Sequence, residues 1–475
     1  MKFNFIGPSY SARSADVADE ECINFFAETI ETPGAQTQRS YFGTPGLGVF
    51  TSLPDAPTRG QCYLGTREFV VSGSTLFEVY EDGHQDVRGD VGSDGQAVSI
   101  SATNIQLLIV SAGRAFCFTL ATNVLVEVTS LLAGVPMETK ASDTYFIVCF
   151  VNSNKFQISE VLDGLTWPGI QVNAVSVFPE NIIGIEVSHR ELWVFGSQHI
   201  QPYQDTGTDE IFDVIPGTLI DTGLISTFGK NLVDNTIFWI SQDARGGNQA
   251  WRANGYTPAR ISTHAVETAL TSYDNVSSLV SYAYQDGGHL FWVLYVPGAD
   301  CTWVYDVAEG LWHKRAQWNQ DTAKWTPHRS WNHTYAFGRH LVGDWKTGNL
   351  YEMSLDLLDD SGLAIARDRR SPTVVSEMRW IYHNDITVDF APGLGPQPPL
   401  VDGEGNPRPP QAMLRWSDDR GSTWSNWYTA DCGFAGQFKA RAIWRRLGRS
   451  RYRVYELRVT DPIPWAIVDA YLRTS

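Results

Sequence analysis

Glu68-Phe69-Val70-Val71-Ser72-Gly73-Ser74-Thr75-Leu76-Phe77 sets a run of β-branched and aromatic residues, a small polar turn and a second apolar run in a row. Such runs bounded by Gly and Ser read as two short strands joined by a tight turn. The arrangement returns at Gln106-Leu107-Leu108-Ile109-Val110-Ser111-Ala112-Gly113-Arg114-Ala115-Phe116. It returns again at Thr144-Tyr145-Phe146-Ile147-Val148-Cys149 with Lys155-Phe156-Gln157-Ile158, and at Glu191-Leu192-Trp193-Val194-Phe195-Gly196-Ser197-Gln198-His199-Ile200. Looser copies begin at Thr236-Ile237-Phe238-Trp239-Ile240, His289-Leu290-Phe291-Trp292-Val293 and Thr334-Tyr335-Ala336-Phe337-Gly338. The starting points 68, 106, 144, 191, 236, 289 and 334 lie 38 to 53 residues apart. A period of roughly 40 to 50 residues with several strands per repeat marks propeller blades. One four-stranded sheet cannot bury both faces alone. Set radially, each sheet covers its neighbour, and closing the ring removes the end faces. A set of sandwiches also has repeating hairpins, but it need not keep a period through so many copies. The expected fold is all-β, with a β-propeller of six or seven blades over residues 61–360.

Working outward, residues 1–60 are Pro-punctuated and irregular and read as an N-terminal arm or small domain. Past residue 360 the texture changes. Arg367-Asp368-Arg369-Arg370 precedes strand-like runs from Val374 to Tyr382 and from Ile386 to Phe390. Residues 391–411 are rich in Pro and Gly without an apolar period, as in a long surface loop that is mobile or used for contact. Strands resume at Ala412-Met413-Leu414-Arg415-Trp416, so 361–475 reads as a separate β-sandwich-like domain. Helix is nearly absent; His264-Ala265-Val266-Glu267-Thr268-Ala269-Leu270 is the candidate for a short one.

Composition excludes several classes. Hydrophobic residues at 43%, charged at 19% and aromatics at 12% argue against disorder. The formal charge of −17 disfavours wrapping DNA, which needs clustered Lys and Arg. It does not disfavour DNA passing an acidic wall without sticking, although plain solubility is the more ordinary reading of such a charge. The six cysteines are scattered without a Cys-x-x-Cys pair, and Cys117 and Cys149 sit in apolar runs, so reduced thiols and assembly in a cytoplasm are expected. Met1-Lys2-Phe3-Asn4-Phe5 lacks the apolar stretch of a signal peptide, and no window offers the ~18 apolar residues of a membrane helix. Neither secretion nor membrane insertion is expected.

Ser417-Asp418-Asp419-Arg420-Gly421-Ser422-Thr423-Trp424 matches the Asp-box, Ser-x-Asp-x-Gly-x-Thr-Trp, at every fixed position. Its chemistry is structural. The carboxylate of Asp419 accepts N–H groups inside the turn, Gly421 takes a positive φ, and Trp424 packs beneath; Ser417 and Thr423 complete the motif. Sialidases carry several such boxes. The box and the 17 Trp motivate a rival reading, a glycan-binding or glycan-cleaving propeller; against it, the one box lies outside the propeller and no three-arginine clamp with a Tyr–Glu pair is evident. His313, His328, His333 and His340 cluster near Trp312, Trp325 and Trp331, but no zinc spacing aligns them, and surface or hydrogen-bonded histidines are expected. No nucleophile elbow, phosphate loop or dinucleotide fingerprint is present, and acids such as Glu81-Asp82-Gly83 and Ser93-Asp94-Gly95 lie in turns. No catalytic residue, cofactor or metal is expected, and the chain is read as non-enzymatic. Lys439, Arg441, Arg445, Arg446, Arg449, Arg451, Arg453 and Arg458 form the strongly basic part. Pairing with acidic surface of this or a neighbouring copy, a solvated strand face and nucleic-acid contact all remain open for it.

Three places carry a resemblance to a known family. They are Cys22-Ile23-Asn24-Phe25-Phe26-Ala27-Glu28 followed by Thr44-Pro45-Gly46-Leu47; Leu192-Trp193-Val194-Phe195-Gly196-Ser197-Gln198-His199-Ile200-Gln201-Pro202-Tyr203; and Ile443-Trp444-Arg445-Arg446-Leu447-Gly448-Arg449 followed by Leu457-Arg458-Val459. Their order and placement resemble the tail hub, or nozzle, proteins of short-tailed bacteriophages, also called packaged-DNA stabilisation proteins. The resemblance spans nearly the whole length, although the Asp-box and the 391–411 loop have no counterpart in it. It implies a virion tail protein, assembled in the host cytoplasm as a ring of six copies. The ring would lie beneath the portal and adaptor ring proteins, with a distal tail needle or plug and tail fibres or tailspikes as further partners. Its channel would retain packaged DNA and then pass it without sequence-specific binding. Arg445, Arg446 and Arg449 are the candidates for ion pairs between subunits.

Overall fold

In Leu107-Leu108-Ile109-Val110 all four side chains are buried. Side chains alternate across a strand, so burial on both sides needs a neighbour on each. Leu107 and Ile109 pack with Phe69, Val71 and Leu76 of the preceding sheet. Leu108 and Val110 pack with Phe146, Val148 and Phe150 of the following one. Ile147 and Cys149 then turn to Ile185, Leu192 and Val194 of the sheet after that. Full burial of such side chains is worth about 1.5–3 kcal/mol each, so every sheet contributes to two separate cores.

The computed structural model describes residues 3, 5–14, 17–32, 39–208, 211–242, 246–391, 393, 396 and 399–475. Seven antiparallel sheets span 58–90, 99–127, 136–174, 184–214, 230–260, 280–319 and 330–354. Their innermost strands touch in succession, and Ser330–Ala336 of the seventh returns to Thr58–Leu64 of the first. The ring is a seven-bladed propeller. The repeats read at 68, 106, 144, 191, 236 and 289 form the second strand of their blades, whereas the one at 334 falls in the innermost strand of the last. The short helix is present as His264–Ser272, capped by Thr263, whose hydroxyl accepts from the Val266 N–H.

Ion pairs knit the innermost strands. Lys230 of the fifth blade lies 2.8 Å from Glu138 of the third, and both are buried. Glu138 also accepts the Ile185 N–H at 2.8 Å, and Lys140 meets Glu186 at 2.7 Å. Burial opposes the Lys140 charge, but Glu186 and Glu138 outweigh it and hold the amine protonated above its ordinary range.

The seventh blade draws only three strands from its own neighbourhood, Ser330–Ala336, Arg339–Asp344 and Asn349–Ser354. Its fourth is Gly46–Ser52, which pairs antiparallel with the third, Met353 opposite Leu47 and Tyr351 opposite Val49. A Cβ on Gly46 would stand 2.5 Å from the carbonyl oxygens of Leu357 and Asp359, so this close approach requires glycine.

The rest of the chain is a two-sheet sandwich. One sheet runs 25–29, 39–43, 466–474, 381–390 and 442–445. The other runs 19–23, 367–370, 452–459, 411–417 and 428–431. Phe25, Tyr41, Ile386, Trp444, Tyr455, Leu457, Ile467 and Leu472 fill the space between them. Residues 1–60 are therefore neither an arm nor a small domain: 19–43 supply sandwich strands, 46–52 complete the last blade, and 58–64 begin the first. The local sequence reads as irregular because strands 19–23, 39–43 and 46–52 also pair with partners more than 280 residues away. Of the expected loop 391–411, residues 392, 394, 395, 397 and 398 lie outside the described residues. Within it Leu400–Val401 and Pro407–Arg408 form a hairpin, held to the sandwich by Arg408 on Asp461 at 2.6 Å.

Ile23 pairs in parallel with Lys314 of the sixth blade, so one twelve-stranded sheet runs through both lobes. A row of alternating charge crosses that seam. Lys314 meets Glu21 at 3.0 Å, Glu21 meets Arg370 at 3.4 Å, Arg370 meets Glu456 at 3.2 Å and Glu456 meets Arg415 at 2.6 Å. Burial would raise the Glu21 carboxyl, but Lys314 and Arg370 prevail and bring it down to about 2.

Lys230→Ala leaves buried Glu138 with only the more distant Lys140, at 3.8 Å, as counter-charge, and losing one partner of a buried pair costs up to about 3–5 kcal/mol. Denaturant titration is expected to register a loss of that order, and the double change Glu138→Ala/Lys230→Ala is expected to recover part of it.

Candidate assembly surface

The Asp-box forms as the sequence requires. Asp419 Oδ1 accepts the Ser417 hydroxyl and the Thr423 N–H, each at 2.7 Å, and Oδ2 accepts the Thr423 hydroxyl at 2.6 Å. Gly421 sits at φ +101° and donates its N–H to Ser417 Oγ at 2.7 Å; Trp424 Nε1 donates to the Gly421 carbonyl at 3.0 Å. These bonds, that from Thr423 foremost, hold the Asp419 carboxyl down at about 2. The turn aims Trp424 at the charged row: its ring centre lies 4.6 Å from the Arg415 guanidinium and 5.0 Å from that of Arg370. The carboxylate is thus consumed within its own turn, and the box covers a structural ion-pair row.

The basic stretch divides in two. Arg453 is buried and grips both oxygens of Asp418 at 2.6 and 2.8 Å, and Arg458 grips Asp368 at 2.7 and 2.6 Å. Arg441 reaches Asp389 at 3.7 Å. Arg445, Arg446 and Arg449 are exposed, and among the described residues none has an ion-pair partner within 4.0 Å. Arg445 stands opposite Asp385 in the strand register, and Arg446 takes φ +60° where the chain leaves that strand. With Tyr382 and Asn384 the three line one shallow depression. The structure therefore brings the three candidates together, while the Asp-box motif lies apart from that depression.

The four histidines lie in the last two blades, and His313 and His328 are buried. His328 Nδ1 is 2.6 Å from Ser330 Oγ, and His333 Nε2 is 3.0 Å from His340 Nδ1. Among the described residues no three His, Cys, Asp or Glu gather as metal ligands. Burial, helped by Arg315 and Arg329, pushes His328 down to about 3; burial and His340 do the same to His333. No helix among the described residues is long and apolar enough to cross a membrane.

Sequence reading missed Arg369, which is fully buried and donates to the carbonyls of Phe5 at 2.6 Å and Glu21 at 3.1 Å. The block Arg367-Asp368-Arg369-Arg370 was its one local trace. It missed equally the pairing of Lys230 with Glu138, which leaves no pattern in sequence.

Comparison with known proteins settles the class. Residues 1–357 match the family model described as "Bacteriophage P22 Gp10, beta-propeller", and residues 367–475 match "Bacteriophage P22 Gp10, beta-sandwich". The chain is a structural protein of a bacteriophage tail. It belongs to the P22 Gp10 family, the nozzle and packaged-DNA stabilisation proteins of short-tailed phages. Solved structures similar to it include the N-terminal domain of Nup159, at 10% identity over 69% of this chain and 98% of that one, with a TM-score of 0.43. YCF48 from Cyanidioschyzon merolae aligns at 11% identity over 66% and 98%, with a TM-score of 0.42. No curated protein matched the chain.

An unfolded histidine takes its proton near 6.5. His328 and His333 bind theirs only near 3, so their contribution to stability is present above about 6.5 and is lost as pH falls toward 3. Asp360, raised by burial to about 7, acts with the opposite sign over much of that range. The imidazole resonances of His328 and His333 are expected to stay those of neutral rings from pH 7 to pH 5 by NMR. Asp419→Ala is expected to lower the melting temperature by calorimetry while leaving the assembled mass unchanged.

Proposed function

We propose that this chain builds a closed ring of six copies in the virion tail, connecting the portal and adaptor ring to the distal tail. The ring retains packaged DNA and forms part of the channel through which the genome leaves. The observation that carries this reading is the two-domain match, propeller then sandwich, to a tail protein along almost the whole chain. The build of the chain supports it. A propeller and a sandwich sharing one sheet make a stiff subunit, suited to a part that carries load rather than turns over a substrate. The acidic balance suits a wall that DNA passes without binding, since binding requires clustered cations along the phosphates. In this reading the function resides in surfaces between subunits and along the lumen, the chain has no catalytic step, and the distal partners are a needle or plug and fibres or tailspikes. Assembly takes place in the host cytoplasm.

Light scattering on the purified protein, alone and with the adaptor protein of the same phage, is the test. The expected mass is a fixed multiple, six, of the 53.0 kDa chain in at least one condition. A single chain in both conditions overturns the proposal.

A further inference from the structure

Among the described residues, two exposed apolar patches stand out for their neighbours. The first is on the sandwich. Met378, Trp380 and Tyr382 are 63%, 49% and 49% exposed. The guanidinium groups of Arg449 and Arg451 lie 4.7 and 5.0 Å from the Trp380 ring centre, and Arg445 and Arg446 border the same depression as Tyr382 and Arg449. Few carboxylates offset these cations: Asp385 is engaged with Arg473 at 3.5 Å and Glu377 with Arg379 at 3.3 Å. Aromatic residues, Met and Arg are the side chains enriched in protein interfaces.

The second patch is on the third blade and the approach to it. Ile170 is 87% exposed and Leu132 67%, with Val161 and Leu165 also exposed. They adjoin. The Ser130 hydroxyl donates to the Leu165 carbonyl at 2.9 Å, and Leu132 Cδ1 lies 3.2 Å from where a Cβ on Gly169, the neighbour of Ile170, would stand. Glu160 and Asp163 flank this patch, and among the described residues neither has an ion-pair partner within 4.0 Å. Charge divides along the same line. Residues 366–475 hold 16 Lys and Arg against 12 Asp and Glu, a balance of +4, whereas residues 1–365 hold 20 against 41, a balance of −21.

We infer that the arginine–aromatic patch of one copy docks on the apolar, acid-flanked third-blade patch of a second copy. The inference rests on the ring reading above and deepens it by naming the two surfaces. Arginine on an acidic partner and apolar side chains on apolar side chains complement each other in both respects. A phosphate backbone would satisfy only the arginines and leave Met378 and Trp380 in water. Because the two surfaces differ, the contact is head-to-tail, and its repetition closes a ring when the rotation between copies permits.

Two variants test it, Arg445→Glu/Arg446→Glu/Arg449→Glu on the sandwich and Leu132→Asp/Ile170→Asp on the blade. All five side chains are exposed, and circular dichroism with a melting curve checks that each variant folds. Light scattering is run under the condition in which the unsubstituted protein assembles, with a DNA-retention assay beside it. Each variant alone is expected to raise the half-assembly concentration at least tenfold. An equal mixture is expected to stop at two copies, because only one competent pair of surfaces remains between the variants. Unchanged assembly of both variants overturns the surface assignment and leaves the ring standing. Loss of DNA retention in the triple variant with assembly intact overturns it in favour of nucleic acid. An unsubstituted protein that stays a single chain in every condition overturns the ring reading and this inference together.

Discussion

The structure depends on one strand reaching across most of the chain. A blade ring with a missing outer strand leaves unpaired backbone groups and an uncovered sheet edge at the seam. Gly46–Ser52 fills that place on the seventh blade, more than 280 residues ahead of the strands it joins. Strands 19–23, 25–29 and 39–43 lie in the sandwich, where Cys22 stands opposite Arg369 and Tyr41 opposite Ile467. One N-terminal stretch thus completes the last blade and supplies strands to both sheets of the sandwich. Contacts at such separations are entropically costly to form, so the native pairings must offset a large loop-closure cost.

Arginine does structural duty throughout a chain that is acidic overall. Arg367, Arg369 and Arg453 are essentially buried, and Arg453 is held by a two-oxygen grip on Asp418. The planar guanidinium fork suits such sites, and Arg is the cation least penalised for leaving water. Burial nevertheless brings Arg367 down to about 10 and keeps Asp368 up at about 6 despite Arg458. Arg445, Arg446 and Arg449, by contrast, have no ion-pair partner within 4.0 Å among the described residues, and this difference gives those three positions their meaning.

The propeller was legible because its signal is local. A run such as Leu107-Leu108-Ile109-Val110, apolar on both faces, declares a strand covered on two sides, and Gly or Ser turns space the copies. The Asp-box was legible for the same reason, since all its bonds lie between Ser417 and Trp424. The seventh repeat was misplaced by one strand because Phe337-Gly338 turns at the first hairpin of its blade instead of the second. The assignment of residues 1–60 went astray because strand partners far apart in sequence leave no composition signature. The exposed arginines could be singled out by density of charge, but which of them the chain itself neutralises depended on Asp418, Asp368 and Asp389 arriving from elsewhere.

The seam at Ile23 and Lys314 has a mechanical consequence. Domains joined by a linker can hinge, but here the sixth blade and the sandwich share hydrogen-bonded strands, reinforced by the row from Lys314 to Arg415. The seam is one parallel pair, Ile23 with Lys314, backed by the Asn24 N–H on the Lys314 carbonyl at 2.8 Å and by the Asn24 side chain on the Ala316 carbonyl at 2.7 Å, so hinging there would break hydrogen bonds and ion pairs that a plain linker lacks. Moving one lobe against the other therefore has a cost in buried charge as well as in backbone pairing.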